Sequence, residues 1–177
     1  FTGSTRVGKI IASLAARDLK PVLLELGGKS PLLVLDDADL DQAVSAAAFG
    51  AFMNQGQICM STERVIVDDK IAEEFVGKFA AKAQSLIAGE PTRQGVMLGA
   101  VVSQATVARF NDLLDDAVAK GAEIRAGGKA ESVVINATVV DRVTPDMKLF
   151  SEESFGPVVS VIRARDTEDA IAIANNS

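Results

Sequence analysis

The sequence has 177 residues, 48% of them hydrophobic, which suits one globular domain with a sizeable core rather than a disordered chain. A net charge of −6 argues against a nucleic-acid binder, which needs a basic face for phosphates, and the nearest approach to a membrane span, residues 46–53, is short and broken by Gly50. One cysteine and no histidine exclude an internal disulfide and a structural zinc site, so a cytoplasmic setting is expected.

In chain order, Gly3-Ser4-Thr5 turns into an amphipathic stretch over 7–19, with Val7, Ile10, Ile11, Leu14 and Ala15 at helical spacing. Ser4 or Thr5 can cap it, and Pro21 ends it. Residues 22–26 and 31–35 are short continuous apolar runs, the first ended by Gly27-Gly28 and the second by Asp36-Asp37. Such runs predict strands buried on both faces. Asp39 starts a helix with Leu40, Ala43, Val44, Ala47 and Ala48 on one face, and Gln55-Gly56-Gln57 is a loop signal just before Cys59. Residues 64–67 predict a strand, 71–87 a helix, 89–99 a loop, and 103–120 a helix stopped by Gly121. Strands follow over 137–143 and 158–162, then a last helix over 167–174 with Asn175-Asn176-Ser177 as its stop signal. Strands alternating with helices predict an α/β fold with a largely parallel sheet. The first residues lack an initiator Met and do not read as a signal peptide, and the chain opens at a strand-to-helix turn without the strand, so an internal fragment of a longer protein is expected.

Three features carry candidate chemistry. Cys59 has a polar, turn-rich approach through Gly56, Gln57 and Ser61, unlike the surroundings of a buried structural cysteine. Without histidine, a nucleophilic thiol cannot use a Cys–His dyad, so the activating base must be another group, with a carboxylate such as Glu25 the natural candidate. Glu25 interrupts an apolar run, a local inconsistency typical of functional sites, and burial there would make it a better base by raising its pKa; a strand residue reaching solvent is the plain alternative. Gly3, Ser4, Thr5 and Gly8 form a turn at a helix N-terminus that could hold a phosphate or simply cap the helix, and it lacks the dinucleotide fingerprint G-x-G-x-x-G.

Five segments together resemble the aldehyde dehydrogenase superfamily: Phe1-Thr2-Gly3-Ser4-Thr5, Glu25-Leu26-Gly27-Gly28-Lys29-Ser30-Pro31, Asn54-Gln55-Gly56-Gln57-Ile58-Cys59-Met60-Ser61, Thr144-Pro145-Asp146-Met147 and Glu152-Glu153-Ser154-Phe155-Gly156-Pro157. They stand in the family's order and run nearly the length of the chain. The resemblance implies a Rossmann-like catalytic domain and NAD-dependent oxidation of an aldehyde to a carboxylic acid, with NADP left open. It implies Cys59 as nucleophile and Glu25 as general base. Thr2, Gly3, Ser4 and Gly8 would lie along the cofactor, Leu26 and Gly27 would bring backbone to the nicotinamide, Glu153 would bind the nicotinamide ribose and Phe155 would pack beside the ring. Residues 1–20 would be the tail of a cofactor-binding domain and 21–177 most of a catalytic domain, inactive alone and homo-oligomeric in the complete protein. The stretch 53–64 is similar to aromatic-aldehyde members, and a CoA-acylating or non-catalytic relative is the alternative.

Overall fold

The computed structural model of the chain describes residues 1–176; Ser177, the last residue of the expected stop signal, lies outside the described residues. Nine strands and six α-helices follow one another as β1 (Thr2–Gly3), α1 (Thr5–Arg17), β2 (Glu25–Leu26), β3 (Pro31–Val34), α2 (Leu40–Phe52), β4 (Arg64–Asp68), α3 (Asp69–Gln84), β5 (Ile87–Ala88), β6 (Val96–Leu98), α4 (Gln104–Ala119), β7 (Glu123–Ala126), β8 (Thr138–Asp141), α5 (Lys148–Ser151), β9 (Val158–Ala164) and α6 (Thr167–Ala174). Residues Met53–Gly56 continue from α2 toward Cys59 as a tight turn in which Asn54 and Gln55 are left-handed.

The main sheet has the order β3-β4-β9-β8-β7. Its first three pairings are parallel and only the edge pairing of β7 with β8 is antiparallel. Alternation along the central strands divides the core into two. Val65, Val67, Val139, Val159 and Val161 face α2 and α3, where Phe52, Phe75 and Phe79 pack with ring centroids 5.4–6.0 Å apart. Ile66, Val140, Val158 and Ile162 face the other way, onto Phe110, Leu113 and Leu114 of α4, Leu149 and Phe150 of α5, and Ala170 of α6. The result is the expected α/β architecture, a largely parallel sheet between two helical layers. Side-chain caps start the helices: Ser4, Asp39, Asp68, Ser103 and Asp166 each accept from a first-turn N–H.

Several expected elements differ. Residues 22–26 are not a strand buried on both faces: only Glu25 and Leu26 pair, with Thr2 and Gly3 in a separate two-stranded sheet, and Leu23 is 78% exposed. β3 is the edge of the main sheet and only Val34 is buried in it, because one strand edge and much of its surface lack a neighbour. The apolar stripe of α1 is likewise uncovered: Ile10 and Leu14 are exposed and Gly8 alone is buried. Residues 89–99 are not all loop, since β6 pairs with β5, and β7 and α5 arise in segments with no strong periodicity. Among the described residues no helix is long and apolar enough to cross a membrane.

Arg64, at the start of β4, is fully buried. Its guanidinium donates to the carbonyls of Lys29, Ile173 and Ala174, each at 3.0 Å, and lies 5.4 Å from the centre of the Phe150 ring. It therefore ties the sheet to the last turn of α6 and to the segment before β3. Arg64→Met should lower stability by about 2–4 kcal/mol, read from the urea unfolding midpoint, because three buried carbonyls lose a charged donor; a change within about 0.5 kcal/mol would contradict this anchoring role.

Candidate active site

A cleft of about 590 Å³ is lined by Thr2, Gly3, Ser4, Glu25, Leu26, Gly27, Gln57, Ile58, Cys59, Glu153 and Phe155. Nine of the ten residues singled out in the sequence thus border one space. The tenth, Gly8, does not line it: Gly8 is buried in α1, where a Cβ would sit 2.7 Å from Leu26 Cδ2, so its place in the fold is the close packing of α1 on β2. A second, smaller and mostly apolar groove runs along α2 past Phe49 and Met53 and contains none of these residues.

Two kinds of strand end meet in the cleft. Thr2–Gly3 and Glu25–Leu26 are parallel, and their C-terminal ends run into the cap of α1 and the Gly27-Gly28 turn. On the opposite side, the segments holding Lys29, Cys59 and Glu153 each lead into the N-terminal end of a main-sheet strand: β3, β4 and β9. The cleft is therefore not at the carboxyl ends of the main sheet, where ligands of open α/β sheets usually sit.

The Cys59 loop is held by unusual backbone. Asn54, Gln55 and Gly56 all have positive φ, at 50°, 57° and 68°, and non-glycine residues keep this conformation only where the surroundings over-determine it. The Asn54 carbonyl accepts from Gln57 N–H at 3.0 Å, and Gln57 Oε1 accepts from Val102 N–H at 2.9 Å. Thr62 N–H donates to the Gly50 carbonyl, returning the loop to α2. Cys59 itself is exposed, and its N–H donates to no backbone carbonyl among the described residues. Ser61 is buried with no partner for its hydroxyl among the described residues.

Glu25 differs from the expectation of burial. Its carboxylate is exposed at the cleft, because β2 is a two-residue strand whose one strand partner among the described residues is β1. It reaches the same space as Cys59 without desolvation.

Glu153 is half-buried, and its pKa is raised, first by desolvation and then by the charge of Glu63, against a hydrogen bond from Gly28 N–H. Gly27 packs directly on this carboxylate, which occupies the place a Cβ on Gly27 would take. A side chain at position 27 would displace the Glu153 carboxylate from its present place. Arg109 of α4 holds the Glu153 carbonyl with Nε and Nη2, at 3.1 and 2.7 Å. Phe155 follows with φ of 49° and a partly exposed ring.

Sequence reasoning missed the charged centre between these loops. Lys29 and Glu63 are both buried and form an ion pair at 2.5 Å. Burial lowers the pKa of Lys29 and Glu63 opposes that shift. Glu63 also accepts from the N–H and hydroxyl of Ser154 and from the N–H of Phe155. The signal in the sequence was a charged pair, Glu63-Arg64, at the head of the apolar run Val65-Ile66-Val67.

The space suits the nicotinamide half of a dinucleotide. The cleft has the volume of a small-ligand site. It has a carboxylate able to accept ribose hydroxyls at Glu153, an aromatic ring at Phe155, and a side-chain-free wall at Gly27 and Gly3. These residues fit the nicotinamide half of such a cofactor.

Gly56 sits where the Cys59 loop packs closely on the Glu153 turn, for a Cβ there would collide with the Gly156 carbonyl and lie 3.0 Å from that of Ala51. Gly56→Ala should cost about 2–3 kcal/mol, from overpacking against backbone and a strained φ, and lower the melting temperature by several degrees. A melting temperature equal to that of the parent protein would contradict the contact.

Comparison with known proteins agrees with the geometry. Residues 1–177 match the sequence model of the aldehyde dehydrogenase family. The chain is 55% identical over 177 residues to a vanillin dehydrogenase from Pseudomonas fluorescens, covering 100% of this chain and 37% of the relative. It is 42% identical to a benzaldehyde dehydrogenase [NAD(+)] from Pseudomonas putida, covering 100% of this chain and 36% of that one. The crystal structure of a salicylaldehyde dehydrogenase from Pseudomonas putida G7 complexed with salicylaldehyde superposes with a TM-score of 0.97 at 54% identity, covering 100% of this chain and 37% of that chain. The chain thus spans well under half the length of these relatives.

Proposed function

The chain belongs to the aldehyde dehydrogenase family, and we propose that it is the nucleophile-bearing part of an enzyme that oxidises an aldehyde, aromatic by preference, to the carboxylic acid with NAD. The observation that carries this function is the single cleft bordered by Cys59, Glu25, Glu153 and Phe155. NAD is favoured because the benzaldehyde dehydrogenase relative is named for it. An aromatic substrate is favoured because relatives at 54–55% identity are named for vanillin and salicylaldehyde.

The Cys59 thiolate attacks the aldehyde carbon, and the new C–S bond leaves an oxyanion on a thiohemiacetal. The unengaged N–H of Cys59 is a donor for that oxyanion; by family resemblance a second donor comes from an asparagine outside these residues. When bound, the nicotinamide supplies the hydride acceptor that turns the thiohemiacetal into a thioester. Glu153 would hold the ribose hydroxyls and Phe155 would limit where the ring can lie, restricting the orientation of hydride donor and acceptor. Glu25, open to solvent at the cleft, takes a proton from water. The hydroxide adds to the thioester carbonyl, the C–S bond breaks, and the carboxylic acid leaves with Cys59 restored.

Residues 1–20 are assigned to the end of a cofactor-binding domain and residues 21–177 to most of a catalytic domain. The β1–β2 pairing sets Glu25 and Leu26 beside Thr2 and Gly3.

One NADH-formation assay tests this function. The complete protein should favour a benzaldehyde-type substrate over acetaldehyde by at least about tenfold in kcat/KM. Cys59→Ala should abolish turnover, and the 177 residues alone should show none. Turnover by Cys59→Ala would overturn the covalent mechanism; a ratio favouring acetaldehyde would end the aromatic preference and leave aldehyde oxidation standing; full activity of the 177 residues would overturn their assignment as part of a larger site.

A further inference from the structure

Glu63 takes no part in the chemistry above, yet its carboxylate is the most heavily engaged group beside the cleft. Its oxygens accept from the Lys29 ammonium at 2.5 Å, from Ser154 N–H at 3.0 and 3.2 Å, from the Ser154 hydroxyl at 2.9 Å each, and from Phe155 N–H at 3.2 Å. The carbonyl of the same residue accepts from Ser160 N–H and its hydroxyl, at 3.2 and 2.8 Å, which fixes Glu63 to β9.

Stability alone does not explain this arrangement. A buried ion pair loses hydration on both sides, and apolar side chains of similar volume often serve a fold equally well. What an apolar side chain cannot do is accept three donors from one turn. That turn carries Phe155 in the left-handed region, at φ of 49°, which a non-glycine residue keeps only when its neighbours impose it. Ser154, the residue Glu63 grips, stands between Glu153 and Phe155. Lys29, the residue it pairs with, stands two places after Gly27, whose backbone closes on the Glu153 carboxylate. One carboxylate therefore connects both walls of the cleft.

We infer that Glu63 is a positioning residue: it holds the Ser154–Phe155 turn in its left-handed form against the Gly27–Lys29 segment, and so sets where Glu153 and Phe155 meet the nicotinamide riboside. This rests on the assignment of the cleft as a nicotinamide site. Lys29 pairs with the same carboxylate, and a carboxylate is a stronger acceptor than an amide for the turn's donors. In Glu63→Gln the amide has one acceptor oxygen for the whole set, places NH2 hydrogens against donors, and leaves the buried ammonium of Lys29 without a counter-charge.

The experiment uses the full-length protein and two variants, Glu63→Gln and Ser154→Ala. Ser154→Ala removes one hydroxyl and leaves the ion pair, so it keeps the question answerable if Glu63→Gln does not fold. NADH affinity is read from nicotinamide fluorescence, hydride transfer from single turnovers, and the Cys59 side of the site from its iodoacetamide alkylation rate. Glu63→Gln should weaken NADH binding by about tenfold or more and Ser154→Ala by about threefold, as expected for losing charged and neutral hydrogen bonds. Single-turnover rates should fall in the same order, while KM for the aldehyde and the alkylation rate without cofactor change by less than about twofold. Unchanged NADH affinity and hydride rate in folded Ser154→Ala and Glu63→Gln, with only the melting temperature lowered, would overturn the inference. A parent protein that binds NADH but oxidises no aldehyde sinks the proposed reaction alone, and the variants' NADH affinities still decide the role of Glu63. A parent protein with no affinity for NADH overturns both.

Discussion

The buried carboxylate of Glu63, opposite the ammonium of Lys29, ties the turn that carries Glu153 and Phe155 to the segment before β3. Two charges taken out of water need full hydrogen bonding as well as each other. The structure supplies it from the turn that carries Glu153 and Phe155. Arg64, the next residue, continues the same clamp in the opposite direction, through the Lys29 carbonyl to the end of α6. Three loops that are far apart in sequence thus enter β3, β4 and β9 already tied together. The parallel pairing of those strands then fixes their separation: Pro31 stands beside Arg64, and Arg64 beside Ser160.

That construction explains why the cleft lies at the N-terminal ends of the main sheet. The sheet acts as a base for the Cys59 loop and for the Glu153 turn, and the small β1–β2 sheet brings Glu25 across from the other side. Backbone strain is concentrated where these parts touch. Asn54, Gln55 and Gly56 turn the chain toward Cys59, and Phe155 turns it back, all with positive φ. Gly56 lies against the Gly156 carbonyl, and Gly27 against the Glu153 carboxylate, so two glycines mark the two closest approaches around the cleft. Strain of this kind, held by a packed and hydrogen-bonded surround, is how a site keeps a geometry that free loops would leave.

Much of this was legible in the sequence where periodicity was strong. α2 buries Val44, Ala47 and Ala48, which its spacing marks, and α3 and α4 form where helices are expected, because each covers a face of the sheet. Apolar runs were less reliable. Residues 22–24 read as a buried strand but have no sheet partner among the described residues, and Leu23 stands in solvent. A run of apolar residues reports a preference for cover, not what provides it. β7 was hidden because Glu123 and Arg125 are charged and serve the ion pairs of the sheet edge, with Glu73, Asp141 and Arg142. The site residues were found through ordered motifs, and Cys59, Glu25, Glu153 and Phe155 do share one space. The Lys29–Glu63 pair was not found, since pairing across 34 positions leaves no local pattern. Gly8 was grouped with the cofactor residues, whereas its measurable role is contact with Leu26.

The central claim is a division of labour in one cleft, with Cys59 carrying the substrate and Glu25 serving water. It is tested most directly by rapid quench of the complete Glu25→Gln protein with aldehyde and NAD, followed by protein mass. The account predicts one equivalent of NADH, then an acyl adduct on Cys59 that accumulates because deacylation lacks its base. Normal turnover with no adduct would contradict the role of Glu25, and loss of both the adduct and the first equivalent of NADH would move Glu25 to an earlier step, the formation of the thiolate.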